Sequence, residues 1–193
     1  MTKAQLREKY IKLRNTFSVE EIDKKSIAIA NNLLKLNIWN YRFYHLFLTI
    51  KNKNEVDTDF ILSILSGKDK NIVISKSNFK NNTMENFLLT DNTVIKVNKY
   101  GIPEPLDGIP IDNSKIQVVF VPLLAYDTKG NRIGYGKGFY DSFLKNCNKN
   151  TLKIGLSFFE PEAAIEDIYK NDIAIDLCVT PKKTHYFNTK TIG

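Results

Sequence analysis

A run of alternating glycines set between an apolar strand and a helix start constrains this chain more than any other feature. Residues 130–141 read Gly-Asn-Arg-Ile-Gly-Tyr-Gly-Lys-Gly-Phe-Tyr-Asp. Glycine at 134, 136 and 138 strips side chains from every second position and permits positive φ, so a ligand can approach the peptide N–H groups. Arg132 and Lys137 put two cations into the same loop, and cations beside bare N–H groups suit phosphate. Upstream, residues 117–124 (Gln-Val-Val-Phe-Val-Pro-Leu-Leu) read as a buried strand, ended by turn chemistry over 127–131. Downstream, Phe139, Tyr140, Phe143, Leu144 and Cys147 fall on one face of a helix. Strand, glycine loop and helix N-terminus in that order make an anion site, because the first helical N–H groups are unpaired and the dipole favours negative charge. The bland alternative is a glycine-rich hairpin with solvated cations.

Neither of the two best-known phosphate loops is present. Asn131 stands where a P-loop needs its first Gly, and Gly138 follows Lys137 in place of Ser or Thr. The third Gly of a dinucleotide fingerprint would fall at Phe139.

At 193 residues the chain fits one domain, residues 1–193, able to bury about 70% of its unfolded surface. Strands alternating with helices predict an α/β fold with a mostly parallel open sheet. No segment has the apolar length to span a bilayer, and the charged N-terminus lacks a signal-peptide core, so the expectation is a cytoplasmic protein with no membrane partner. Cys147 and Cys178 read as free thiols in a reducing compartment. The net charge of +7 is scattered, without the aromatic–basic interleaving of a nucleic-acid face, and would equally steer anionic small molecules.

Along the chain, a Thr2/Gln5 capping box opens a helix over 2–15, and a Ser18/Glu21 box opens a second through Leu36. Lys3, Arg7 and Arg14 form one basic stripe on the first helix, which by itself reads as a solvated face. Strands are predicted over 44–50, 71–75, 87–89, 93–97, 151–158 and 173–179, and helices over 58–65 and 161–169. Between the first strand and the third helix, 51–55 is a polar loop at a strand's C-terminal end, where open α/β sheets bind ligands. Residues 100–105 form a stiff proline loop. Asp176, in the middle of the 173–179 strand, needs a cation, a hydrogen-bond network or a metal as partner. Asp141, in the first turn after the glycine loop, is explained as a dipole-complementing acid. Of the two histidines, His45 and His185, neither lies near the glycine motif in sequence, and both read as structural or exposed.

Pro122-Leu-Leu-Ala-Tyr-Asp127 followed by the 130–141 motif resembles the signature of the 5-formyltetrahydrofolate cyclo-ligases, also called methenyltetrahydrofolate synthetases. The resemblance continues at Lys3-Ala-Gln-Leu-Arg7, Glu55-Val-Asp-Thr58 and Ile102-Pro-Glu-Pro105. It implies a single-domain, three-layer Rossmann-like sheet akin to ribose-phosphate isomerases and CoA transferases. It also implies ATP- and Mg²⁺-dependent conversion of 5-formyltetrahydrofolate, with or without a polyglutamate tail, to 5,10-methenyltetrahydrofolate; a monomer is expected, though the sequence does not fix the oligomeric state. By the same resemblance, Lys3, Ala4, Gln5, Leu6, Arg7 and Arg132, Ile133, Gly134, Tyr135, Gly136, Lys137, Gly138, Phe139, Tyr140 border ATP, with Lys137 and Arg132 neutralising the transferred charge. Arg7, Leu48, Glu55, Tyr100 and Tyr135 to Phe139 border the folate, and Asp141 and Asp176 hold Mg²⁺. Leu123 stands where the family often has Gly. The competing reading is a phosphosugar-binding enzyme or sensor, in which Glu55, Asp141 and Asp176 share no task.

Overall fold

Residues 118–122 have no polar face because they lie at the middle of a sheet covered on both sides, the situation that makes central parallel strands continuously apolar. A computed structural model describes residues 1–188. The chain runs through α1 (Lys3–Arg14), α2 (Val19–Leu34), β1 (Phe43–His45), α3 (Asp59–Gly67), β2 (Asn71–Asn78) and β3 (Thr83–Leu88). Then come β4 (Ile95–Val97), β5 (Pro103–Pro105), β6 (Val118–Pro122), β7 (Ala125–Tyr126), β8 (Arg132–Ile133), α4 (Phe139–Lys145), β9 (Leu152–Leu156), β10 (Leu177–Val179) and β11 (Thr184–Tyr186). The main sheet has the order β11-β10-β9-β6-β1-β2-β3, parallel from β10 to β2 with an antiparallel strand at each edge. The fold is thus the expected α/β, mostly parallel open sheet.

Alternation along the strands sends side chains to two layers. Tyr44, Ile74, Val118 and Phe120 join Ile29, Leu33, Ile61 and Leu65 of α2 and α3 in one core. Val73, Val119, Val121 and Cys178 meet Phe143 and Leu144 of α4 in the other. A third cluster seats Leu6 and Tyr10 of α1 on the β7–β8 hairpin through Leu124, Ala125 and Ile133. Both capping boxes are present as read from the sequence.

Five expectations change. Residues 161–169 form no helix. Their backbone is held by distant partners: Thr128 donates to the Glu162 carbonyl at 3.1 Å, and Ile165 N–H donates to Asp127 Oδ2 at 3.3 Å. Asp167 Oδ1 also accepts from Lys3 N–H at 2.6 Å. The segment is a strap over α1, and tertiary bonds have replaced the i to i+4 ladder. The 44–50 strand pairs only over 43–45, and the 173–179 strand only over 177–179, which puts Asp176 before the ladder and not in its middle. The 100–105 loop contains a strand, because Pro103–Pro105 pairs with Ile95–Val97 as a two-stranded edge where missing proline N–H groups cost nothing. Between β6 and the glycine loop the chain inserts the β7–β8 hairpin, whose turn is tied by Asp127 Oδ1 to the N–H groups of Lys129 at 2.9 Å and Asn131 at 3.0 Å.

Candidate active site

The apolar character of the strands fades at their C-terminal ends. On the α4 side of β2, Val73 is followed by Ser75 and Ser77; on β1, His45 takes the corresponding place. Beyond these ends lies a cavity of about 450 Å³, where the topology of an open α/β sheet puts ligands. His45, Ser75, Ser77 and Pro122 form its strand-end wall, and Phe79, Met84 and Tyr100 close one side. Lys3 and Arg7 of α1, Leu48 and Ile50 after β1, Lys53 and Glu55 of the 51–55 loop, Arg132, all of Gly134 to Asp141, and Asp172 of the turn after the strap line it as well.

Each glycine of the loop has its own reason. Gly136 (φ +86°) clears the Arg7 guanidinium, whose carbon would lie 3.2 Å from an added Cβ. Gly138 (φ +72°) is the N-cap of α4, in the left-handed region and with no side-chain cap on the helix amides. Gly134 has no positive φ, and a Cβ there meets open space, as it does at Gly138. Arg7 Nε donates to the Gly134 carbonyl at 3.0 Å, tying the loop to α1. Lys137 is exposed and makes no hydrogen bond or ion pair among the described residues. Arg132 is engaged: it donates to Asp141 Oδ1 at 3.0 Å and to the Ile173 carbonyl.

The basic stripe of α1 faces inward. Lys3 pairs with Asp172 and lies 4.2 Å from the Tyr169 ring centre. Arg14 is 3% exposed and donates to the Tyr135 hydroxyl at 3.1 Å and to the Leu123 carbonyl. Glu55, also 3% exposed, accepts from Ile50 N–H at 2.8 Å. Burial raises its carboxyl above the ordinary range, against the pull of the Ile50 amide, the Arg14 charge and the Tyr135 hydroxyl. Burial and then the Glu55 charge push the Tyr135 phenol up in turn.

The sequence of the chain matches the 5-formyltetrahydrofolate cyclo-ligase family over residues 1–181. It belongs to that family. A 5-formyltetrahydrofolate cyclo-ligase of Mus musculus is 28% identical, covering 82% of this chain and 83% of its own length. One from Haemophilus influenzae is 27% identical over 80% and 84%. Among solved structures, a 5,10-methenyltetrahydrofolate synthetase of Aquifex aeolicus superposes with a TM-score of 0.81 at 29% identity, over 97% of this chain and 93% of that one. Membership decides against the phosphosugar reading, and the chain is a cyclo-ligase-type enzyme.

Most residues that the resemblance marks come together at this cavity: Lys3, Arg7, Leu48, Glu55, Tyr100, Arg132, Gly134 to Tyr140 and Asp141. Five do not line it. Leu6 and Ile133 are core residues joining α1 to the hairpin, while Ala4 is exposed and Gln5 completes the capping box. Asp176 is the larger correction. Its Oδ2 accepts from Lys153 N–H and forms an ion pair with Lys153 Nζ, each at 2.8 Å, and it is not part of the cavity wall. Of the partners an apolar strand leaves open to it, it takes the cation. The acid on the wall beside Asp141 is Asp172, an unremarked residue of a polar turn. Ile173 N–H donates to Asp141 Oδ1 at 3.0 Å, bringing that turn against Asp141. His45 is the second residue the sequence undervalued. It is remote from the loop in the chain, yet its ring centre lies 5.9 Å from that of Tyr140. A polar residue closing a buried parallel strand was the available signal.

Proposed function

We propose that this chain converts 5-formyltetrahydrofolate and ATP to 5,10-methenyltetrahydrofolate, ADP and phosphate in the cavity bordered by the glycine loop. The observation that carries the site assignment is the convergence of Lys137, the open faces of Gly134 and Gly138, and the inward stripe of α1 on one cavity. A formamide oxygen is a poor leaving group. Transfer of the γ-phosphoryl to it makes a good one, the neighbouring folate amine then attacks the formyl carbon, and phosphate departs. No protein nucleophile is required; the demands are in-line phosphates, neutralised charge and exclusion of water. Lys137, unengaged in the structure, supplies the mobile charge, and Arg7 fixes the frame around it. Glu55, Tyr100 and Leu48 border the folate.

Asp141 and Asp172 fit a divalent cation. Both carboxylates line the cavity, and Mg²⁺ takes one or two carboxylates with phosphate and water. Held by these acids together with ATP, such an ion would supply neutralisation of phosphate charge. Arg132 and Lys3, the present partners of these acids, would then be free to turn toward phosphate oxygens. Asp176 takes no part. The reading extends to a cytoplasmic monomer, toward which a net charge of +7 attracts ATP and polyglutamylated folate. Among the described residues no helix is long and apolar enough to cross a membrane.

The test is to mix protein, ATP, Mg²⁺ and 5-formyltetrahydrofolate and follow the near-ultraviolet band of the methenyl product. Folded protein without that band overturns the proposal. Asp172→Asn should raise the Mg²⁺ needed for half-maximal turnover about tenfold or more, and weaken Mn²⁺ binding read by electron paramagnetic resonance. Asp176→Asn should lower stability and leave the metal requirement where it was.

A further inference from the structure

A chain of hydrogen bonds crosses the sheet from β1 to the turn after β5, and its directions follow from the orientation of the Asn86 and Asn113 side-chain amides. Asn86 Nδ2 donates to Asn113 Oδ1 at 2.6 Å, so Asn86 presents Oδ1 to its cross-strand partner Ser75. The Ser75 hydroxyl donates to that Oδ1 at 2.6 Å. Its only proton is thereby used, and toward His45 Nε2, 2.7 Å away, Ser75 can only accept. With the amides in this orientation, the neutral His45 ring carries its proton on Nε2 and leaves a lone pair on Nδ1. That atom is buried and has no hydrogen-bond partner, on a residue that is 0% exposed and lines the cavity. Burial pushes the imidazole down to about 3, so the ring stays neutral and offers an acceptor without charge. A buried polar atom without a partner calls for an explanation.

The occupant must bring a donor. Phosphate oxygens only accept, and the cations that suit them sit on the glycine loop and α1. The His45 ring lies against Ser75, Tyr140 and Phe143, and the strand-end wall and the side next to it continue neutral through Ser77, Met84, Phe79 and Tyr100, the last two rings 4.1 Å apart between centres and tilted by 36°. A reduced pterin has an edge of ring and amino N–H groups and a flat body of matching character. We propose that His45 Nδ1 accepts a hydrogen bond from an N–H of the substrate's pterin, with Ser75, Asn86 and Asn113 holding the required tautomer. This deepens the folate reading above and rests on it.

The direct test labels the histidine rings with ¹⁵N and titrates the wild-type protein with 5-formyltetrahydrofolate in the absence of ATP. The Nδ1 signal of His45 should move toward its hydrogen-bonded position while Nε2 holds. Kinetically, His45→Phe should raise the KM for folate about tenfold and leave that for ATP unchanged, the scale of one lost hydrogen bond in a buried site. His45→Asn, whose Oδ1 takes the place of Nδ1, should recover most of the affinity. A purely structural role would move both KM values or the folded fraction together. An Nδ1 signal unmoved at saturating folate overturns the proposal, whether or not the variants fold. A rise in the ATP KM alone puts adenine at His45 and overturns it equally. Turnover by wild type with Nδ1 unmoved sinks only this inference; a shifted Nδ1 without turnover sinks the cyclo-ligase chemistry and leaves the pterin contact standing.

Discussion

Helix α1 and the glycine loop each bring cations to the same cavity, and the two sets differ in what already holds them. Lys3 is paired to Asp172, Arg7 to a loop carbonyl, and Arg14 to Tyr135 and Leu123. Lys137 is held by nothing among the described residues. One group of charges builds the cavity and the other is available to what enters it. Composition and spacing treat the two alike, because each is a Lys or Arg in a plausible place.

Substitutions should separate the groups. The largest effect is expected from Arg14→Met. It strips the charge facing Glu55 and the donors to a buried carbonyl and hydroxyl, which should cost about 3–5 kcal/mol of stability. Denaturant titration showing a change below about 1 kcal/mol would place Arg14 with the available charges. Lys137→Ala should do the reverse, removing roughly 3–4 kcal/mol of transition-state stabilisation, seen in kcat/KM, while the unfolding midpoint stays put. Near-normal turnover in that folded variant breaks the comparison outright.

A pH series sharpens it on the tied side. Burial holds the Glu55 carboxyl above its unfolded value of 4.5, so the folded state binds the proton more tightly than the unfolded chain. The stability this gives is complete below 4.5 and is lost as pH rises through the raised value. Glu55→Gln should therefore gain on wild type in chemical denaturation as pH is raised above 4.5, and a constant gap would show that Arg14 and Tyr135 fully offset burial. The smallest effects distinguish the glycines. Gly138→Ala, at φ +72°, should cost about 1–3 kcal/mol of stability, and Gly134→Ala, in open space, less than about 0.5. If ligand approaches the loop backbone, both should still raise KM.

Much of this molecule was legible in its residues because the signals were local. Two capping boxes start α1 and α2 where Thr2/Gln5 and Ser18/Glu21 stand, and the two-sided apolar run of 118–122 announces a central strand. Readings failed where a distant group decided. Residues 161–169 have helical spacing, but Asp127 and Thr128 hold their backbone open and Lys3 N–H holds the Asp167 side chain. Asp176 and Asp172 are both acids before or within one apolar stretch. Only the position of Lys153 tells that the former belongs to the core.

The sequence by itself determined that strands and helices alternate, that a bare, cationic bend precedes α4, and to which family such a chain belongs. Periodicity, caps and glycine spacing act within a few residues and need no partner. Which acid faces the cavity, which cations are already engaged, and that His45 is left with an open acceptor were decided only by tertiary structure. Each of these is a statement about what lies across a gap from a side chain, and groups 30 or more residues apart in the chain settle it.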